Sequence, residues 1–189
     1  MDERIIKLIG NENLKKIKEA TVCVVGLGGV GGYVVESLVR SGIEHFVIVD
    51  YDKVDITNLN RQIVTNINNI GCYKVDEMEK RILSINSDCN IIKVNSKLDE
   101  DNVVNLFEYS FDYLVDACDA ICVKERLIQE CLDRDIKFIS SMGTGNKLNP
   151  LELRIADIRK TSYDPIAKKI RKYVFDHHIR GKIPVVYSC

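Results

Sequence analysis

Residues 21–32 read Thr21-Val-Cys-Val-Val-Gly-Leu-Gly-Gly-Val-Gly-Gly32, a β-branched apolar run that passes directly into a glycine-rich turn. An apolar run of this length and composition predicts a buried strand of a parallel sheet. Apolar side chains then recur at helical spacing from Val30 to Val39, and Ser41-Gly42 marks the end of the predicted helix. A strand, a glycine turn and a helix in this order form the first half of a βαβ unit.

The same alternation of strands and helices continues along the chain. Further strands are predicted at residues 46–49, 90–94, 113–115 and 138–139, and helices at residues 74–85, 100–109 and 124–134. Helical turns broken at Gly10-Asn11 precede the first strand. Because strands that alternate with helices pair in parallel, we expect an α/β protein with a doubly wound, Rossmann-like, mostly parallel sheet and helices on both faces.

Composition is that of an ordinary globular protein. The 189 residues are 46% hydrophobic and 29% charged, which suits a packed core and argues against disorder. No apolar run approaches the ~20 residues of a membrane helix, and the N-terminus lacks the layout of a signal peptide. A cytoplasmic protein without a membrane partner is therefore predicted. The seven cysteines form no CxxC pair, which argues against a Cys₄ zinc site and indicates free thiols.

Charge is distributed unevenly along the chain. Residues 159–189 carry eight Lys/Arg against two acids, a net charge of +6, whereas the preceding residues carry −7. A basic segment of this kind indicates a polyanionic partner. The structural pattern changes in the same region, with a strand predicted at 151–158, a basic amphipathic helix at 166–174 and a short strand at 183–187.

Polar residues gather at the carboxyl ends of four predicted strands. They are the glycine turn at 26–32, Asp50 with Asp52, Asp116 with Asp119, and residues 140–146. Ligands of open parallel sheets bind beyond these strand ends. Segments that lie far apart in the chain are therefore predicted to meet at one cleft.

The first two of these segments indicate a nucleotide. The backbone at Gly26, Gly28, Gly29 and Gly31 can approach a phosphate chain, and the following helix offers its N-terminus to anionic charge. Asp50 is placed to accept a ribose hydroxyl, which suits NAD as well as ATP. The alternative is a tight strand-to-helix turn that binds nothing.

Arg61 and Lys74 favour ATP over a dinucleotide. Two cations beside a glycine turn suit a triphosphate whose α-phosphate is attacked, because charge builds there and on the leaving pyrophosphate. The alternatives are a surface salt bridge for Arg61 and a solvated first-turn position for Lys74. Asp119 is predicted either to bind Mg²⁺ or to cap the helix that follows it. The sequence contains no P-loop.

At these residues the chain resembles the ThiF/MoeB/HesA-type adenylating superfamily. The resemblance covers about the first 140 residues, in order, and its motifs are the glycine turn 26–32, Val49-Asp-Tyr-Asp52, Asn58-Leu-Asn-Arg-Gln62, Gly71 with Lys74, and Asp116-Ala-Cys-Asp119. It implies that Asp50 and Asp52 belong to the ATP site and that Asp50 holds the ribose. It further implies phosphate contacts from Asn58, Arg61 and Lys74, and Mg²⁺ binding by Asp119. Arg4 resembles an N-terminal arginine that reaches ATP in the partner subunit of a homodimer.

Later motifs point to one branch of this superfamily. Ser140-Ser-Met-Gly-Thr-Gly-Asn-Lys-Leu148, Ala156-Asp-Ile-Arg-Lys-Thr161 and Asp164-Pro165 with the basic helix resemble the tRNA threonylcarbamoyladenosine dehydratases. That family uses ATP to adenylate the carboxylate of the threonylcarbamoyl group on tRNA. The acyl-adenylate then cyclises with loss of AMP. The resemblance implies that tRNA contacts the basic C-terminal segment.

The resemblance also divides the chain. It implies an N-terminal helical segment at 1–20, an ATP-binding adenylation domain at 21–150 and a basic C-terminal extension at 151–189. Members of that family continue beyond the equivalent of Val185–Ser188, so the extension is interpreted either as cut short or as a naturally short form.

Three other functions fit parts of the sequence. An activator of a ubiquitin-like sulfur-carrier protein would share the ATP site and bring sulfur-relay protein partners, but paired zinc cysteines and a catalytic cysteine are not recognisable, and Cys189 lacks a matching context. A nucleotide-binding module without catalysis is a second alternative. A nicotinamide dehydrogenase is a third, and the cations after Asp50 argue against it.

Overall fold

The structure is a computed structural model that describes residues 2–145 and 148–189. Residue 146 of the predicted strand-end segment and Lys147 of the later motif lie outside the described residues. Within the described part of the chain, no helix is long and apolar enough to span a membrane.

Seven strands form one sheet in the described residues. They are β1 (Thr21–Val25), β2 (His45–Val49), β3 (Asn90–Val94), β4 (Tyr113–Asp116), β5 (Lys137–Ser141), β6 (Leu153–Asp157) and β7 (Pro184–Ser188). Their order across the sheet is β3-β2-β1-β4-β5-β7-β6. Every neighbouring pair is parallel except β6 with β7. One edge of the sheet therefore collects the carboxyl ends of six strands, and we call it the carboxyl edge.

Helices cover both faces of this sheet, as the sequence predicts. They are α1 (Glu3–Ile9), α2 (Asn11–Glu19), α3 (Gly31–Arg40), α4 (Lys74–Ile85), α5 (Ile121–Asp133) and α6 (Pro165–Asp176). Short 3₁₀ turns lie at Ile56–Asn58, Val103–Glu108, Pro150–Glu152 and Ile158–Lys160.

Two hydrophobic cores lie on opposite faces of the sheet. The first contains Val22 and Val24 of β1 with Val35 of α3 and Met78 of α4. The second contains the intervening residue Cys23 and side chains of α5 and α6. Alternate residues of a strand point to opposite faces, so β1 contributes to both cores. The doubly wound, mostly parallel α/β fold is confirmed.

The segment predicted as a helix at 100–109 forms only the 3₁₀ turn Val103–Glu108. The carboxylate of Asp99 accepts hydrogen bonds from the backbone N–H groups of Asp101 and Asn102, and the Asn102 side chain bonds back to Asp99 and Lys97. Such side-chain bonds stabilise a turn and compete with the first turn of a helix.

Residues 153–188 extend the same sheet. β7 pairs with β5 through Ser140↔Val185, and β6 forms the outer antiparallel edge. The segment predicted as one strand at 151–158 is shorter because 3₁₀ turns occupy both of its ends. Asp164 caps α6 by accepting the Ala167 backbone N–H at 2.9 Å.

α6 runs from the carboxyl edge of the sheet to the opposite edge. A Cβ added at Gly143, just beyond β5, would lie 3.3 Å from Ile166 at the start of the helix. The residues that follow its last turn lead directly into the start of β7. The two ends of α6 therefore lie at opposite edges of the sheet.

Candidate nucleotide-binding site

A cleft lies at the carboxyl edge beside β1, where the strand order reverses: later strands are added first on one side of β1 and then on the other. β1 is flanked by β2 on one side and β4 on the other, and this arrangement leaves a crevice at the carboxyl edge. The cleft has a volume of about 680 Å³ and is lined from the ends of β1, β2 and β4 and from the segments after β3 and β5. Of the eleven candidate residues, nine line it: Gly26, Gly28, Gly29, Asp50, Asp52, Asn58, Arg61, Lys74 and Asp119.

The glycine turn packs too tightly for side chains at two positions. Gly26 has φ +90°, and a Cβ there would lie 2.8 Å from the carbonyl oxygen of Ala117. A Cβ at Gly31 would lie 1.7 Å from the carbonyl oxygen of Gly26. The turn therefore rests directly on the loop that follows β4, and the N-terminus of α3 opens beside the cleft.

Asp50 follows β2 and ties it to the glycine turn. Its Oδ2 accepts the Leu27 N–H at 2.7 Å, and its Oδ1 accepts the Asp52 N–H at 2.8 Å. Burial raises the pKa of this carboxyl, and the two backbone hydrogen bonds oppose that shift. Each carboxylate oxygen has a further lone pair, so Asp50 can still accept ligand hydroxyls.

Lys74 is buried at the start of α4, where it is 4% exposed. Its Nζ donates to Asp52 Oδ2 at 2.8 Å, and its backbone N–H donates to the Asp52 carbonyl at 3.0 Å. These contacts fix the first residue of α4 to the turn after β2. This burial rules out the alternative that Lys74 is a solvated residue in the first turn of a helix.

Asn58 and Arg61 lie on the polar segment between β2 and α4. Asn58 and Asp55 form a reciprocal capping box around a 3₁₀ turn. Arg61 is exposed, and its Nη1 donates to the Thr57 carbonyl and the Asn60 side chain, both at 3.0 Å. It pairs with no carboxylate in the described residues, so the surface salt bridge is not formed.

Asp119 lies exposed in the loop between β4 and α5. Residue Ala120 occupies the N-cap of α5, and no side chain caps that helix. In the part of the chain that the structure describes, the Asp119 carboxylate has no hydrogen-bond or ion-pair partner. Helix capping is therefore not its role, and the carboxylate is available in the cleft.

A buried ion pair lies directly beneath this loop. Lys124 and Asp116 are each 1% exposed, and Lys124 Nζ lies 3.0 and 3.1 Å from the two Asp116 oxygens. The same Nζ donates to the Ser141 carbonyl at 2.7 Å. The Asp116 carboxylate also accepts from Ser140 Oγ and from the Cys118 N–H and thiol. This network joins β4, β5, α5 and the loop that carries Asp119.

Several cleft residues lie outside the sequence-based set. Ser96, Lys97 and Leu98 follow β3, and Tyr51 follows β2. The sequence does carry a signal for Ser96, Lys97 and Leu98, because they follow a predicted strand that ends at the carboxyl edge. Gln62 is also missed as an individual site residue, although it belongs to the motif 58–62. Its Oε1 is buried without a donor in the described residues.

Arg4 and Gly31 do not line the cleft. Arg4 is exposed on α1. Helices α1 and α2 pack around Gly42, where an added Cβ would lie 3.1 Å from Leu14 and 3.9 Å from Ile5. Gly42 precedes β2, so this helical pair lies at the edge of the sheet opposite the cleft.

The groups that line the cleft suit a phosphate chain and a divalent cation. A Cβ at Gly28 would meet nothing closer than 3.9 Å, so the turn is open there, and the buried Gln62 Oε1 has no donor in the described residues. Mg²⁺ is commonly held by one or two carboxylates together with substrate phosphates. Asp119 offers one unpaired carboxylate for that purpose.

The fold and this cleft define a doubly wound α/β protein with a nucleotide-binding site at its switch point. The chain belongs to the ThiF family, whose pattern matches residues 2–153.

Two similar bacterial proteins have the same name. The chain is 45% identical over 180 residues to the tRNA threonylcarbamoyladenosine dehydratase of Bacillus subtilis (strain 168), covering 95% of this chain and 71% of that protein. It is 36% identical over 166 residues to the enzyme of the same name from Escherichia coli (strain K12), covering 88% of this chain and 62% of that protein. The chain thus spans under two thirds of the E. coli relative.

A solved structure gives the same result. The crystal structure of the E. coli tRNA N6-threonylcarbamoyladenosine dehydratase in complex with ATP matches with a TM-score of 0.93 at 33% identity, covering 98% of this chain and 79% of that one. A structure of that enzyme with AMP matches with a TM-score of 0.92.

Proposed function

We propose that this chain is an ATP-dependent enzyme that adenylates the carboxylate of threonylcarbamoyladenosine in tRNA. A carboxylate oxygen attacks the α-phosphorus of ATP, and pyrophosphate leaves. An internal nucleophile of the modified adenosine then attacks the acyl carbon, and AMP leaves with the former carboxylate oxygen. The net result is a cyclic product that has lost the elements of water, with ATP converted to AMP and pyrophosphate. The enzyme needs no thiol for this sequence.

The observation that carries the proposal is the placement of two cations on one side of the glycine turn. Arg61 and Lys74 line the same cleft as Gly28 and Gly29, and a Cβ at Gly29 would lie 3.4 Å from Arg61 Cγ. Charge grows on the α-phosphate and on the leaving pyrophosphate, and preorganised cations stabilise such charge strongly in a sheltered site. Arg61, free of carboxylates, and Lys74, held by Asp52, suit that role.

The other polar groups have distinct proposed tasks. Asp50 accepts the ribose hydroxyls through the lone pairs that its two backbone donors leave unused. The Asn58 amide, held in place by its capping box, contacts the phosphates. Asp119 would hold Mg²⁺, which would supply positive charge against the phosphate oxygens.

Partners follow from the same proposal. tRNA contacts the basic segment 159–189, because phosphate contacts dominate the affinity of proteins for nucleic acids. The enzyme works in the cytoplasm as a homodimer. Arg4 lies at the edge opposite its own cleft, so it can serve ATP only in the cleft of a second copy.

ATP–pyrophosphate exchange tests the proposal. Exchange is measured with threonylcarbamoylated tRNA, unmodified tRNA and a sulfur-carrier protein in turn. We expect stimulation by the threonylcarbamoylated tRNA alone. Stimulation only by the carrier protein would overturn the proposal in favour of a carrier activator, and no exchange with any of the three would favour a binding module.

A further inference from the structure

A second concave site lies far from the nucleotide cleft. It has a volume of about 570 Å³ and is formed by the last two turns of α6, the segment that follows it and Arg159 of the 3₁₀ turn after β6. We call it the basic groove and define it by Arg159, Arg171, Phe175, His178 and Arg180. The remaining lining residues are apolar, so none of the described residues that line it is acidic.

Backbone carbonyls hold Arg159 and Arg171 in the basic groove, and Arg159 also forms an ion pair with Asp157 at 3.1 Å. Arg159 donates to the carbonyls of Ile179 and Gly181 at 2.8 and 2.9 Å, besides its contact with Asp157. Arg171 donates to the carbonyl and the hydroxyl of Thr161. These bonds fix the shape of the groove.

Arg180 is exposed and has no hydrogen-bond or ion-pair partner among residues 2–145 and 148–189. An arginine of this kind can form a bidentate contact with a phosphate.

The surrounding surface is more basic than the sequence indicates. Of the two acids in residues 159–189, Asp164 is 1% exposed and faces inward as the cap of α6. Lys168, Lys169 and Lys172 are exposed along the same helix, and within the described part of the chain none forms an ion pair. Of the eight cations in the segment, Arg159 pairs with Asp157, and the other seven form no ion pair within the described residues.

Phe175 adds an exposed aromatic ring to the basic groove. Its ring is 76% exposed and stands among the arginines. Exposed aromatic rings beside cations are platforms on which unpaired bases stack, while the cations contact the phosphates. A concave site of this size admits splayed nucleotides better than a rigid duplex.

We infer that the basic groove binds an unpaired nucleotide segment of the RNA substrate, with a phosphate on Arg180 and a base on Phe175. This inference rests on the proposed function, since it assigns a second contact to the same tRNA. α6 separates the groove from the carboxyl edge by roughly 18 Å, at 1.5 Å per residue over twelve residues. The groove therefore takes nucleotides remote from the one that enters the ATP cleft, and the exposed lysines of α6 line the path between the two sites.

The test measures tRNA binding without ATP, by fluorescence anisotropy over a range of salt concentrations. Arg180→Ala is expected to weaken binding several-fold at about 0.1 M salt and to lower the slope of log affinity against log salt by about 1. Phe175→Ala is expected to weaken binding of a single-stranded RNA about fivefold or more. It should leave binding of a duplex with the same number of phosphates within twofold. Lys16→Ala is the matched control, because Lys16 is exposed on α2 and lies away from the groove.

Affinity and salt slope that are unchanged in both groove variants would overturn the inference. So would a Lys16→Ala loss equal to that of Arg180→Ala, because the effect would then be one of net charge. Neither outcome depends on catalysis, so the groove and the proposed function can fail separately. If threonylcarbamoylated tRNA stimulates ATP–pyrophosphate exchange but the groove variants bind tRNA as the parent does, the groove is refuted and the proposed function stands. If the groove variants bind tRNA more weakly but the parent shows no ATP–pyrophosphate exchange, the proposed function is refuted and the groove stands.

Discussion

Replacing Lys124 with methionine tests whether the buried ion pair supports the nucleotide cleft. The substitution keeps the length and apolar stem of the side chain but removes its charge. It leaves the Asp116 carboxylate, 1% exposed, without its cation and the Ser141 carbonyl without its donor. Removing one partner of a buried pair costs about 3–5 kcal/mol. That is a large part of the roughly 5–15 kcal/mol by which domains are usually stable.

Urea unfolding measures this cost, and the chain offers a matched control. Lys80→Met removes an ion pair with Glu77 of 2.6 Å, but the Lys80 side chain is 70% exposed. An exposed pair contributes about 0–1 kcal/mol. The difference in unfolding free energy between the two variants isolates the effect of burial. A Lys124→Met variant that loses no more stability than Lys80→Met would refute the reasoning.

A double variant identifies the cause as an unpaired buried charge. Asp116→Asn combined with Lys124→Met removes the charge, so part of the lost stability should return. A double variant that recovers no stability would indicate altered packing instead.

The remaining expectations concern the cleft itself. Gly31→Ala should lower stability by about 1–3 kcal/mol or more in urea unfolding, because the new Cβ would lie 1.7 Å from the Gly26 carbonyl oxygen; Gly28→Ala, whose Cβ meets nothing closer than 3.9 Å, should unfold like the parent, and equal losses would contradict this. Arg61→Ala should reduce ATP–pyrophosphate exchange by about 10²-fold or more, as loss of a transition-state donor does, while stability changes by at most about 0.5 kcal/mol; unchanged exchange would remove Arg61 from the site. Asp119→Asn should raise the Mg²⁺ concentration needed for half-maximal exchange without changing the thermal midpoint, and an unaltered Mg²⁺ requirement would exclude Asp119 as a ligand.

Local signals in the sequence were enough to locate most elements. β1 and α4 have the predicted boundaries at both ends, Thr21–Val25 and Lys74–Ile85. Gly26 directly follows β1 and ends it, and apolar side chains at helical spacing define α4. α5 instead begins three residues before the predicted Lys124, because its first turn is apolar and its cap, Ala120, has no side chain that signals a start.

Long-range contacts decided what the sequence could not reveal. Nothing local distinguishes β6 from a parallel strand, and its antiparallel direction is set by pairing with β7 across about thirty residues of chain. Lys124 reads as an ordinary helical lysine, yet it is buried against Asp116 from the preceding strand. The strand before Ser96 was predicted, so the residues after it could have been proposed for the cleft, but the sheet order that places β3 beside β2 could not.

The two cores on opposite faces of the sheet have a consequence for how the chain is made. The buried members of the first core come, apart from Val115, from residues 22–82. The second core also uses early residues such as Cys23 and Val47, but its other side chains come from residues 103–187. As the chain leaves the ribosome, we expect β1, β2 and β3 to assemble around the first core while the apolar underside of β1 and β2 still faces water. That exposed surface is the kind that chaperones bind and that aggregates form from, and it disappears only when the covering helices α5 and α6 have been synthesised.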